Sequence, residues 1–135
     1  VDDRAVNDQA LVDRRTIARR KARLRKIVLA LPDTTVTGDQ HLSLFYKAKR
    51  FGYYLDDHHG DGVVGLSCKA EPGVNQALVR ADPTRFFIPA YVGPKGWLGL
   101  RLDLPDIDWG EVEAFVHDAY WLTAPRGRGD RRKSP

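Results

Sequence analysis

Apolar and polar positions along the chain change period several times, and each change marks an element. From Asp13 to Leu31, the residues Ile17, Leu24, Ile27, Val28 and Leu31 recur at helical spacing, which predicts an amphipathic helix. Pro32 ends it, because the residue before a proline is pushed out of helical angles. Asp33 to Asp39, rich in threonine and glycine, reads as a loop. The period then drops to two. Leu42, Leu44 and Tyr46 alternate with polar neighbours. Phe51, Tyr53 and Leu55 do the same and are expected on the helix-covered face. Val63 to Lys69 forms a third strand. The short connections 47–49 and 56–62 suit hairpins, so residues 41–69 read as an antiparallel meander.

Glu71 to Ala81 returns to the helical period, with Pro72 near its first turn and Asp82-Pro83 at its end. Residues 85–102 form the segment around which the pattern is organised. Two apolar runs flank Gly93-Pro94-Lys95-Gly96, a turn sequence, and Leu98, Leu100 and Leu102 alternate with Trp97, Gly99 and Arg101. Gly99 either leaves a saddle between Trp97 and Arg101, open to a flat or anionic partner, or serves a bulge within the strand with Trp97 as core cover. Asp108 and Glu111 form a capping box before a last helix with the stripe Val112, Phe115, Val116, Ala119 and Leu122. The order is α-β-β-β-α-β-β-α. It predicts an α+β domain with an antiparallel sheet of about five strands and helices on one face.

Charge changes this picture at the two ends. The whole chain of 135 residues carries a net +4, but the body from 27 to 125 holds eight Lys/Arg against thirteen Asp/Glu, or −5. Residues 1–26 hold nine against four and residues 126–135 five against one. The expected organisation is a flexible arm at 1–12, a single domain at 13–124 and a basic flexible tail at 125–135. Such ends suit phosphates or acidic surfaces. Arg19, Arg20, Lys21 and Arg23 are the candidate phosphate contacts of the first helix. The chain has one cysteine, Cys68, which rules out an internal disulfide and fits a reduced, cytoplasmic setting. It has no methionine, even at position 1, so the natural start is expected to be missing or processed. No run is long and apolar enough to span a membrane.

Candidate chemistry is sparse. Asp56-Asp57-His58-His59-Gly60-Asp61-Gly62 holds carboxylates and imidazoles, but its spacing fits no calcium loop, and a polar hairpin tip accounts for the same residues. No metal and no cofactor are expected. Ser43 and Ser67 lack a nucleophile-elbow context, and the glycines match neither a dinucleotide fingerprint nor a P-loop. No catalytic residue is assigned and the expectation is a protein that is not an enzyme.

Leu31-Pro32, Lys49-x-Phe51, Leu66-x-x-Lys69, the run Arg85-Phe86 to Pro89-Ala90-Tyr91-Val92-Gly93 and on to Gly96-Trp97, and Ala119-Tyr120 resemble the MmcQ/YjbR family. The resemblance covers about residues 24–124, and Pro-Ala-Tyr-x-Gly-x-x-Gly-Trp is its most specific part. It implies a compact CyaY-like α+β domain and a proposed double-wing mode of DNA binding, with two hairpins gripping the duplex. Lys69, Tyr91, Lys95 and Trp97 are the matching positions. Ala119 stands where the family usually has serine. Arg85 and Arg101 complete the candidate cationic set. The leading expectation is a non-enzymatic nucleic-acid-binding protein. The alternative is a protein that sequesters a small planar molecule in an aromatic pocket around Trp97 and Tyr91, with Phe87 and Tyr53. A protein-interaction module is the third.

Overall fold

A computed structural model describes residues 12–125. The expected arm and basic tail therefore fall, but for a residue at each inner end, outside the described residues. Helix α1 (Arg14–Leu29) starts where Asp13 accepts a hydrogen bond from the Thr16 backbone N–H at 2.8 Å, and it buries Ile17, Leu24 and Val28. At its other end the Thr34 hydroxyl lies within hydrogen-bonding distance of the carbonyls of Val28, in the last turn, and Leu31, just past the helix end.

Six strands follow: β1 (Thr34–Gly38), β2 (Leu42–Tyr46), β3 (Lys49–Asp56), β4 (Val64–Cys68), β5 (Phe86–Phe87) and β6 (Leu98–Arg101). Their order is β1-β2-β3-β4-β6-β5, and every neighbouring pair is antiparallel. Helix α2 (Val74–Ala81) precedes β5, and α3 (Trp109–Thr123) closes the domain, with Asp108 capping the Glu111 N–H. The α+β class and its element order agree with the sequence pattern, with one strand more than expected. That strand is β1, whose sequence reads as a loop. It is an edge strand of β-branched residues with no side chain fully buried, so it shows no apolar alternation.

A second difference lies in β3. Leu44 pairs with Gly52 and Phe45 with Arg50, so Phe51 is the extra residue of a β-bulge. Beyond a bulge the faces exchange. Phe51 remains in the core, but Tyr54 joins it there, while Tyr53 and Leu55 face the opposite side. The core lies between α1, α3 and one face of the sheet. Leu24, Leu44, Phe51, Tyr54, Leu66 and Leu102 are among its fully buried members. Each such side chain contributes about 1.5–3 kcal/mol. Tyr120 packs edge-on against Tyr46 and Phe51 and donates its hydroxyl proton to the Pro32 carbonyl at 2.7 Å. This bond ties the last helix to the end of the first.

Candidate functional site

The site is built on the sheet face that no helix covers. After β5 the chain crosses this face, turns through a 3-10 turn at Gly93–Lys95 and enters β6. Gly96 sits at φ 92°, a left-handed conformation that favours glycine. Buried Asn75 of α2 fixes both ends of the turn, its amide donating to the carbonyls of Gly93 and Trp97 at 3.1 Å each. This segment rules out the open saddle at Gly99. Phe87 pairs opposite Gly99 and fills that space. A Cβ on Gly99 would lie 2.4 Å from the Phe87 ring, and one on Gly65 would lie 2.9 Å from it. Trp97 is also covered, with only 7% of its surface exposed and its ring 5.5 Å from that of Tyr53. It forms a wall, not an exposed stacking platform.

Two cavities flank this segment. The first, about 550 Å³, is lined by Arg50, Tyr53, Lys69, Ala70, Val92, Lys95, Trp97 and Leu122. Three cations converge there with no carboxylate among the lining residues, although the body of the chain is acidic. Arg50 is held in place. Its guanidinium lies 4.7 Å from the centre of the Tyr53 ring, and one N–H donates to the Tyr53 hydroxyl at 2.7 Å. The guanidinium has five N–H donors in all, which leaves others for an anion. The second cavity, about 270 Å³, is bounded by Tyr53, Leu55, His58, Asp61, Ser67, Phe87, Pro89, Ala90, Tyr91 and Val92. Tyr53 and Val92 belong to both. Tyr91 is 81% exposed and, though not glycine, adopts φ 67°.

Of the residues singled out from the sequence, the structure brings Lys69, Lys95 and Trp97 together, with Tyr91 on the adjoining cavity. Tyr53 and Phe87, named with the aromatic alternative, line the same cavities, but the other candidate cations do not lie there. Arg20 donates to the carbonyls of Leu102, Leu104 and Pro105. Lys21 donates to the Asp39 carbonyl, Arg23 lies over the Trp109 ring, and Arg19 donates to the Thr16 hydroxyl. Arg85 bridges Asp82 at 2.6 Å and Glu111 at 2.5 Å, which lowers the Asp82 pKa and raises that of Arg85. Arg101 pairs with buried Asp103, whose carboxylate also accepts from the Val64 N–H. Each of these six cations has a partner inside the domain, and Arg20, with three carbonyls, is the most fully engaged. Arg50 is the candidate site residue that sequence reasoning missed. Its signal was the basic hairpin tip Lys47-Ala48-Lys49-Arg50 leading into an aromatic strand.

Asp56, from the acidic loop, is buried and paired with Arg14. Among the described residues no group of three or more His, Cys, Asp or Glu stands close enough to hold a metal ion, and no helix is long and apolar enough to cross a membrane. Cys68 is fully buried, and burial pushes its thiol pKa up, which disfavours the thiolate. A third cavity, a groove of about 510 Å³ between α2 and α3, is mostly apolar. Val74, Leu78, Phe86, Leu98, Phe115 and Trp121 line it, with Glu71, Glu111 and Asp118 among its polar groups.

Fold and cavities define a small α+β domain with an antiparallel sheet, helices on one face, and a cation-lined cleft that runs from the open face to Leu122 of α3. The chain belongs to the YjbR family, whose model matches residues 29–122. None of the curated proteins matches it. Among solved structures it is similar to the Deinococcus radiodurans protein DR2400, which carries a DUF419 domain. The TM-score is 0.61 at 20% identity, over 81% of this chain and 83% of that one. That likeness is one of fold.

Proposed function

We propose that this YjbR-family protein binds nucleic acid without catalysing a reaction, and that its phosphate contacts lie in the cleft of Arg50, Lys69 and Lys95. The observation that supports the reading is the convergence of three cations, with no lining carboxylate, on an otherwise acidic body. Arginine and lysine neutralise phosphates and release counterions, which makes such binding salt-dependent. Tyr53 and Trp97 add an apolar wall against which a sugar or base can rest. The test is fluorescence anisotropy of a labelled oligonucleotide across a salt series. Three phosphate contacts give a log–log slope of about 2 on a single strand and nearer 3 on a duplex. Changing Arg50, Lys69 and Lys95 together to alanine removes that slope. The reading fails if the intact chain shows no affinity tighter than about 0.1 mM near physiological salt.

The groove between α2 and α3 favours a second reading, capture of a small planar molecule, because its volume lies in the range of small-ligand sites. This moves the alternative away from Trp97, which is covered. A screen of neutral aromatic compounds read by tryptophan emission tests it. A hit insensitive to salt and abolished by Leu78→Trp would favour this reading over the first.

A further inference from the structure

We infer that the nucleic acid taken by this face is unpaired, with a base entering the pocket beside Tyr91 while its phosphate lies in the cleft next door. This rests on the phosphate-binding reading of the cleft. The cleft and the smaller pocket are separate cavities that share Tyr53 and Val92, so a ligand with an anionic part and a flat part joined by a short link can fill both. That is the chemistry of a nucleotide. At about 270 Å³ the pocket lies just below the size of drug-sized sites and has room for one ring system. Its walls are the rings of Tyr53, Phe87 and Tyr91. The Ser67 hydroxyl and the Asp61 carboxylate supply hydrogen-bonding groups for a base edge.

Tyr91 is the most informative residue of the pocket. A large aromatic side chain, 81% exposed and held in the left-handed region, is costly in two ways at once. The backbone around it is fixed, with the Gly93 N–H donating to Pro89 and the Trp97 N–H to Val92, at 2.9 and 3.2 Å. A rigid loop thus presents the ring to solvent at the mouth of a pocket lined by two further rings. Base faces inside a duplex are stacked on their neighbours and cannot enter such a pocket, whereas an unpaired base or a free nucleotide can.

Four probes test this against the intact chain: a single-stranded oligonucleotide, the same strand with every base removed, its duplex, and adenosine monophosphate. The expected result is single-strand affinity at least 10-fold tighter than that of the base-free strand or the duplex. Tyr91→Ala should remove this difference, a loss on the order of 10- to 100-fold, and Tyr91→Phe should keep it. If adenosine monophosphate binds as tightly as the strand, the site takes a free nucleotide and the base pocket stands. If the base-free strand and the duplex bind as well as the single strand, the inference is overturned while the phosphate cleft survives. If no probe binds, both readings fall.

Discussion

Tyr53 and Tyr54 are neighbours on β3 and occupy opposite environments. Tyr54 is fully buried on the helix-covered face, and its hydroxyl finds no hydrogen-bond partner among the described residues. Tyr53 stands on the opposite face, accepts a hydrogen bond from Arg50, lies tilted against the Trp97 ring and borders both candidate cavities. The two faces divide the work. One face is packed with aliphatic and aromatic side chains that hold the domain together. The other is closed only by Phe87 and a turn, and it gathers cations and rings from β3, β4 and residues 91–97. Residue type therefore says little about role here, and the side of the sheet says much.

Truncation should separate the faces most sharply. Tyr54→Ala is expected to cost about 3–5 kcal/mol in urea denaturation, as for other large core aromatics. Tyr53→Ala should cost less than about 1 kcal/mol and instead weaken oligonucleotide binding. Equal losses of stability at both positions would break the comparison.

Alkaline titration gives the next effect. Burial, with Asp56 nearby and Arg14 opposing, pushes the Tyr54 pKa up to about 12, against about 10 for the exposed group. The folded state holds this proton more tightly than the unfolded state does. Its contribution is therefore fully present below pH about 10 and is lost as the pH rises towards 12. The loss is on the order of 2 kcal/mol once solvent screening is allowed for. Tyr54→Phe should flatten this part of the stability profile, and Tyr53→Phe should leave it.

A smaller effect tests how the open face is closed. Gly99→Ala drives a methyl group into the Phe87 ring and should cost about 1–3 kcal/mol. Phe87→Ala in the same chain should recover part of that loss. Full stability of Gly99→Ala alone would show that the ring moves aside freely.

The sequence carried the architecture wherever a pattern depends on local chemistry. The helix stripes, the Asp108 cap and the meander all appear in the fold. It failed at β1 because an edge strand buries too little to alternate, and at β3 because one extra residue at Phe51 exchanges the faces. The site was legible in pieces. Lys69, Lys95, Trp97 and Tyr91 were picked out, and Tyr53 and Phe87 with the aromatic alternative, but only tertiary structure brings Arg50 to them. The dense cations of α1 read as free phosphate contacts from the sequence, but charge density on a helix does not reveal that carbonyls of residues 102–105 lie in reach of Arg20.

Those two sets of cations give the last test. Lys69→Ala with Lys95→Ala should change stability by no more than about 0.5 kcal/mol, since no internal hydrogen bond or ion pair of either side chain is seen among the described residues. Each phosphate left without its cation should reduce the salt slope by about 0.7 on a single strand. Changing Arg19, Arg20, Lys21 and Arg23 to alanine should behave oppositely. It removes the Arg20 bonds to three carbonyls and the stacking of Arg23 on Trp109, so denaturation should shift by roughly 1–3 kcal/mol while the salt slope holds. Both variants are read on one protein preparation by urea denaturation and by anisotropy across the same salt range. A slope that falls in the helix variant and holds in the cleft variant would place the phosphate contacts on α1. The open face would then owe its cations to solubility alone.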